Sequence, residues 1–572
     1  MEPFISAMKP LFVIRNPFVV LLVLVVGACA PAGAARGPAD GPVAQRSTCE
    51  LFSAAGGATG VAAAAAQWWL LDLERDCVHG ISAERAYREL LAGREPARTV
   101  TVAIIDSGID IEHEDLAGNI WVNEGEVPRT GRDDDGNGYV DDVSGWNFIG
   151  GPDGRHVHHD TYEVTRLYAS LRGRYASARP DTLAAAQREE YERFLAVQAD
   201  FEARRAETAQ MLEQARAIEA AIPRFAAILS AHLGVDAPTA ELIAGIRTTR
   251  PEVRQAQQVM LQLTTLGLTP EVIARQRESL EGRLQYGLDP SFDPRPIVGD
   301  DYSDPRERHY GNPDVRGPGA DHGTHVAGIV AARRGNDRGM DGIAPAVRIM
   351  PIRAVPDGDE RDKDIANAIR YAVDNGAQII NMSFGKGYSP RKQMVDEAVR
   401  YADSRGVLMV HAAGNDAADL GGEPSFPTRF YDGGGEARHW IEVGASAWWG
   451  ADSLAAPFSN YGRDQVHVFA PGVDIRSTVP DNAYESNSGT SMAAPVVSGL
   501  AAMLMAYYPE LDAGEVKRII LESATPYAAQ QVNLPGGQGR RIAFGELSAT
   551  GGVVNAYAAI QMAERLSARS RN

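Results

Sequence analysis

Residues 97–110 read ARTVTVAIIDSGID, an apolar run that ends in the aspartate at 106 and turns at Gly108. A short apolar run rich in β-branched residues and bounded by turn formers has the pattern of a buried strand. The same style recurs in VRIMPIRAV, AQIINMSFG, VLMVHAAGN, WIEVGASA and VHVFAPGV. Between these runs, DIANAIRYAVDNGA and RKQMVDEAVRYADSRG space their apolar residues as a helix does, and each closes on a glycine suited to a helix end. Strand and helix in alternation predict an α/β fold: a mostly parallel sheet with helices on both faces. Reactive groups in such folds belong at the carboxyl ends of the strands, which is where Asp106 falls.

At 572 residues the chain has room for about two to four domains. Its formal net charge of -19 excludes general nucleic-acid binding, which relies on Lys and Arg contacts to phosphates. Lys9 and Arg15 precede NPFVVLLVLVVGACA, an apolar run too short to span a bilayer comfortably, so residues 1–28 read as an export signal. Its end, VGAC, resembles the lipobox of bacterial lipoproteins, with Val26 in place of the commoner Leu; the resemblance implies cleavage before Cys29 and lipidation of that cysteine. A plain secretory signal is the other reading. With Cys29 lipidated, Cys49 and Cys77 are left to form a disulfide in an oxidising compartment or to stay as two thiols. Residues 29–66, rich in Ala, Gly and Pro, have the composition of a flexible tether. No later segment is expected to span a membrane, so the lipid is the expected membrane contact. The expected location is the cell envelope, and Ala30 after the cysteine leans toward a periplasmic or outer-membrane face.

Residues 155–298 break the alternation. Tyr191, Phe194, Phe201, Met211, Ala215, Ile218 and Ile222 recur at multiples of three to four, which predicts a long helix with one apolar stripe, ended by Pro223. TRPEVRQAQQVMLQL and TPEVIARQRESLEGRL start helices with proline in the first turn, the second capped by Thr269. The expected organisation is an α/β body over 67–154 and 299–565, a helical insertion over 155–298 and a tail at 566–572. The insertion is read as a lid, a surface for a protein partner or self-association, or a peripheral elaboration.

In SNSGTSMAAPVVSG a small-residue loop runs into a helix-like segment at Thr490 and Ser491. A serine just inside a helix start lies beside unpaired N–H donors, which suits a nucleophile whose product is an oxyanion. A serine hydroxyl is a weak nucleophile at neutral pH. It needs an imidazole to take its proton, and a buried carboxylate to fix that imidazole's tautomer. DHGTHVAGIV supplies His322 and His325, Asp106 supplies the carboxylate, and Asn415 in HAAGND supplies a side-chain amide for the oxyanion.

The four segments IIDSGID, HGTHVAG, AAGN and GTSMAAP, in this chain order, resemble the signature motifs of the subtilisin-like serine peptidases, the subtilases. The resemblance covers residues 99–148 and 300–525 and implies a subtilisin-like three-layer fold. It also implies peptide hydrolysis through an acyl-enzyme by Asp106, His322 and Ser491, with Asn415 at the oxyanion and polypeptides as substrates. His325 is then structural. NMSFG resembles the strand that pairs with an extended substrate, so Ser383, Phe384 and Gly385, with Ala412, Gly414 and Ser425, are the expected pocket residues. Ser425 is expected at the pocket floor, and the small residues there suggest an open apolar pocket for large uncharged side chains.

Asp133, Asp135 and Asn137 alternate before Gly138, with Asp141 and Asp142 following, which resembles the opening of an EF-hand-type calcium loop. The twelfth position is Ser144 rather than glutamate, so the loop would close differently. A solvated acidic turn is the alternative to structural calcium.

Two functions from different classes follow. The first is a membrane-tethered serine endopeptidase; the second is a non-catalytic peptide-binding or scaffold protein on the same fold. A cysteine or metal hydrolase is poorly supported, since HGTHV lacks the glutamate of HExxH. Only about 70 residues separate Cys29 from the first strand, so no separate propeptide domain of the usual kind is expected, and activation without autocleavage is expected with it.

Overall fold

The computed structural model describes residues 67–570. The expected signal, the tether, Cys29 and Cys49 lie outside the described residues. Cys77 is disulfide-bonded.

Thirteen strands are described: β1 Val100–Asp106, β2 Trp146–Asn147, β3 Val347–Arg353, β4 Ile379–Met382, β5 Leu408–Ala412, β6 Trp440–Ser446, β7 Val468–Pro471, β8 Ile475–Val479, β9 Ala483–Asn487, β10 Thr525–Pro526, β11 Gln531–Asn533, β12 Arg541–Ala543 and β13 Gly552–Val553. Nine of them form one sheet in the order β10-β13-β7-β6-β5-β4-β1-β3-β2, parallel except where β10 meets β13. All six apolar runs read as strands are in it. The α/β fold with a mostly parallel sheet is thus present.

Side-chain alternation along β1 explains the layers. Val100, Val102 and Ile104 point to one face and pack with the helices Asp321–Ala331 and Thr490–Tyr507; Ala103 and Ile105 point to the other and pack with Asp362–Asp374 and Lys392–Ser404. A strand buried on both faces has to be apolar throughout, which is why β1 reads as a run rather than an alternation.

The helix Thr490–Tyr507 does reach the length and apolarity of a membrane span, contrary to the sequence expectation. It is 89% buried inside the protein and packs in the main core, so its apolarity serves burial against the sheet. Trp68, Trp69 and Leu70 are also in that core. The helix Ala556–Ser570 runs past residue 566, where a tail was expected, because Leu566 still packs against the core.

Contacts divide the chain into two compact units: one of residues 67–158, 295–356 and 360–570, the other of His159–Pro294 with Asp357–Asp359. The second unit is helical. Its longest helix, Ala185–Leu233, carries Pro223 in its interior instead of ending there. Proline removes one backbone donor, but Leu229 beyond it is buried, packed with Ile243, Ile246, Val253 and Ala256. That packing holds the helix through the missing bond. Thr269 caps the helix Pro270–Gly282 as expected, its hydroxyl accepting from the Val272 N–H at 3.3 Å.

Candidate active site

Asp106 is the last residue of β1 and only 1% exposed. His322 is the second residue of the helix Asp321–Ala331, and its Nδ1 lies 2.7 Å from Asp106 Oδ1. The approach depends on Gly323. A Cβ built there would overlap the Gly108 carbonyl oxygen and lie 3.2 Å from the Asp106 Cβ, so only glycine lets the helix start close onto the strand end. The Ser107 N–H donates to the same Asp106 oxygen at 2.7 Å. Asp106 Oδ2 has no hydrogen-bond partner among the described residues. Burial alone would lower the His322 pKa; the Asp106 charge and hydrogen bond outweigh it and raise the pKa. The imidazole remains 41% exposed, open to a reactant.

Ser491 is the second residue of the helix Thr490–Tyr507. Pro495, four residues on, cannot donate to the Ser491 carbonyl, and the Ser383 hydroxyl fills that place at 2.9 Å. The Ser491 hydroxyl in turn donates to the Ser383 carbonyl at 3.0 Å. No hydrogen bond joins Ser491 to His322 among the described residues; such bonds commonly tighten only when a reactant binds.

Asn415 follows β5. Its Oδ1 accepts from the Thr490 N–H at 2.9 Å and from the Thr490 hydroxyl at 3.0 Å, while Thr490 Oγ1 accepts from the Gly414 N–H at 3.1 Å. With Oδ1 tied down, the Nδ2 donor is left facing away. A Cβ built on Gly489 would lie 3.6 Å from both Asn415 Nδ2 and the Ser491 backbone N, so the two donors border one small space beside the serine. That is what an oxyanion requires. Gly414, at φ +104°, makes the turn that aims Asn415.

Of the expected pocket residues, Ser383 is brought to Ser491 and Gly385 to Ser425, while Ala412 is buried in the main core and the Gly414 N–H is engaged by Thr490. Ala412 ends β5, and a Cβ on Gly385 would lie 2.5 Å from Ser425 Oγ. The Phe384 carbonyl is held by His411 Nε2 at 2.9 Å. His325 is fully buried against the Glu485 carbonyl at 3.2 Å, its pKa pushed down to about 4 by burial and by His322, as fits a structural residue.

The acidic loop is only partly as expected. Asp133 and Asp135 converge with Glu126, each offering an oxygen within 4.8 Å of the others. Asp141 is not brought in: its carboxylate accepts from the Thr130 and Gly131 N–H groups, both at 2.9 Å. Asp142 is fully buried and accepts from the Tyr371 hydroxyl at 2.6 Å, and Asn137 turns its amide nitrogen toward Asp135 and Asp142. Glu126 escaped the sequence reading because it lies upstream of the loop pattern. Thr490 was noted at the helix start, but no side chain caps that helix and the bond of Thr490 to Asn415 was not foreseen; Pro495 was missed, since a broken helix bond shows only once the neighbours are known.

A profile of the subtilase family matches residues 97–539. The chain belongs to that family. Over 225 residues it is 42% identical to the thermophilic serine proteinase of Bacillus sp. (strain AK1), covering 39% of this chain and 50% of that protein. Over 212 residues it is 39% identical to subtilisin DY of Bacillus licheniformis, covering 36% of this chain and 71% of that one. The structure of the prenylagaramide maturation protease PagA aligns with a TM-score of 0.34 and 30% identity, covering 42% of this chain and 82% of that one. The chain therefore spans half the length of the first of these relatives and more of the second. The match takes in β1 to β11 and the strand-end cluster, and it also runs through the helical second unit, which its own contacts set apart.

Proposed function

We propose that this subtilase is an exported serine endopeptidase that cleaves polypeptides through an acyl-enzyme on Ser491. The observation that carries the reading is the Asp106–His322 contact of 2.7 Å at the end of β1, with His322 on a helix that packs against the one bearing Ser491. His322 Nε2 takes the Ser491 proton as Oγ attacks the scissile carbonyl carbon. Asp106 holds the imidazole by Nδ1 and stabilises the imidazolium. The oxyanion is held by Asn415 Nδ2 and the Ser491 N–H. His322 then returns the proton to the leaving amine as the C–N bond breaks, and water, deprotonated the same way, releases the acyl group. Ser383, Phe384, Gly385, Ala412, Gly414 and Ser425 line the peptide groove in this reading.

The proposal extends to the remainder of the chain: a signal over 1–28, a lipid on Cys29, a tether to residue 66, a Cys49–Cys77 disulfide and a helical insertion within the peptidase body. A relative with 35% identity over 213 residues is a cell wall-associated protease of Bacillus subtilis (strain 168), in keeping with an envelope location.

Structural calcium is part of the proposal. Glu126 is 6% exposed and its Oε2 has no hydrogen-bond partner among the described residues, an arrangement that a bound cation between Glu126, Asp133 and Asp135 resolves. Bound there, calcium supplies neutralising charge to three carboxylates and ties the 126–135 loop together.

The test is labelling of the purified protein with a fluorophosphonate serine probe. Labelling of the wild type that is lost in Ser491→Ala and in His322→Ala supports the reading. A folded wild type that takes up no probe, or labels equally without His322, overturns it.

A further inference from the structure

His411 on β5 and Glu442 on β6 are paired in register, and they are 0% and 6% exposed. Charged side chains in the middle of a parallel sheet are tolerated only when paired and hydrogen-bonded. Here the imidazole bridges two acceptors, with Nδ1 2.8 Å from Glu442 Oε1 and Nε2 2.9 Å from the Phe384 carbonyl. A carbonyl only accepts, so Nε2 carries a hydrogen, and the contact between Nδ1 and the carboxyl group holds a second proton. Glu442 Oε2 accepts from the Trp440 indole N–H at 2.8 Å. A polar line thus runs from Trp440 through Glu442 and His411 to one backbone carbonyl.

That carbonyl lies in the site. Ser383 exchanges hydrogen bonds with Ser491, and a Cβ on Gly385 would lie 2.5 Å from Ser425 Oγ and 3.8 Å from His411 Nε2. Ser383, Phe384 and Gly385 run between the end of β4 and the isolated bridge from Lys386 to Phe426, with no ladder to fix them. Neighbouring carbonyls of an extended chain point to opposite sides. Drawing the middle one inward turns the outer two toward the groove.

We propose that His411, held by Glu442, is a positioning residue for peptide substrates: by anchoring the Phe384 carbonyl it presents the Ser383 and Gly385 carbonyls to an extended peptide. This rests on the peptidase reading of Ser491 and adds to it the device that sets substrate affinity.

The test compares two double variants that carry no charge at this place and keep an acceptor for the Trp440 N–H. His411→Gln with Glu442→Gln retains a donor toward Phe384, whereas His411→Leu with Glu442→Gln does not. Neither leaves a buried carboxylate unpaired, the defect that would unfold His411→Ala. Each is assayed on peptide p-nitroanilides with Phe, Leu or Ala before the scissile bond, and by fluorophosphonate labelling rate. The Leu-Gln variant is expected to raise KM about tenfold with kcat and labelling rate within about threefold of wild type, the loss of one buried hydrogen bond. The Gln-Gln variant is expected to return KM to within about threefold of wild type. Equal KM in the two variants, or a joint fall of kcat and labelling rate with KM unmoved, overturns the proposal while peptidase activity in the wild type stands. A wild type that labels but cleaves no peptide overturns the peptidase reading and this one with it.

Discussion

Gly323→Ala tests whether the strand end and the helix start are held as closely as the site requires. The added methyl would overlap the Gly108 carbonyl oxygen and lie 3.1 Å from the Gly108 carbonyl carbon. Both are backbone atoms, so no side chain can swing away. To regain ordinary contact, the first turn of Asp321–Ala331 must retreat by about 1 Å. That retreat opens the His322–Asp106 contact from 2.7 Å beyond hydrogen-bond range and shifts the imidazole relative to Ser491. A misplacement of this size costs about 10²-fold in kcat/KM, while overpacking at one buried position destabilises by about 1–3 kcal/mol. The assay is kcat/KM on a chromogenic peptide together with thermal unfolding. Gly173→Ala is the control, because it sits inside the helix Glu163–Tyr175 with nothing within 4 Å of the new methyl. It should leave activity unchanged and stabilise slightly. A Gly323→Ala protein that stays folded and keeps activity within threefold of wild type would refute the reasoning.

Three further outcomes follow. In Asp106→Asn the charge that raises the His322 pKa is gone and burial is left to lower it; the imidazole accepts a proton only when neutral, so the acid limb of kcat/KM should move to lower pH while its plateau falls by at least about 10². Chelation should lower the Tm of the wild type by about 5 °C, and Glu126→Gln should abolish that response, as read by calorimetry with and without added calcium. Pro223→Ala should restore a backbone donor within Ala185–Leu233 and stabilise the helical unit by about 1 kcal/mol after the lost rigidity of proline is counted, measured as a later calorimetric transition.

The sheet was legible because burial on both faces forces each central strand to be an apolar run, a property of the segment itself. The chemical groups were legible for a related reason: Asp106, Asn415, His322 and Ser491 each sit at the end of such a run or the start of an apolar helix, where local pattern marks them. The helical unit was legible as helices but not in extent. Pro223 looked like a stop because the sequence cannot display Leu229 and its partners, whose packing carries the helix onward. Likewise, Thr490–Tyr507 has the composition of a span and the surroundings of a core helix.

The sequence by itself determined the six neighbouring strands in the middle of the sheet, the chemistry available at their ends, and two carboxylates of the acidic cluster, Asp133 and Asp135. The tertiary structure alone decided which distant groups meet: Glu126 rather than Asp141 beside those carboxylates, Thr490 fixing the Asn415 amide, Ser383 taking the place left by Pro495, and His411 with Glu442 reaching the Phe384 carbonyl. The reason is that local periodicity records only which face of its own segment a residue occupies. The neighbour across that face is set by how parallel strands, separated by whole crossovers, come to lie side by side.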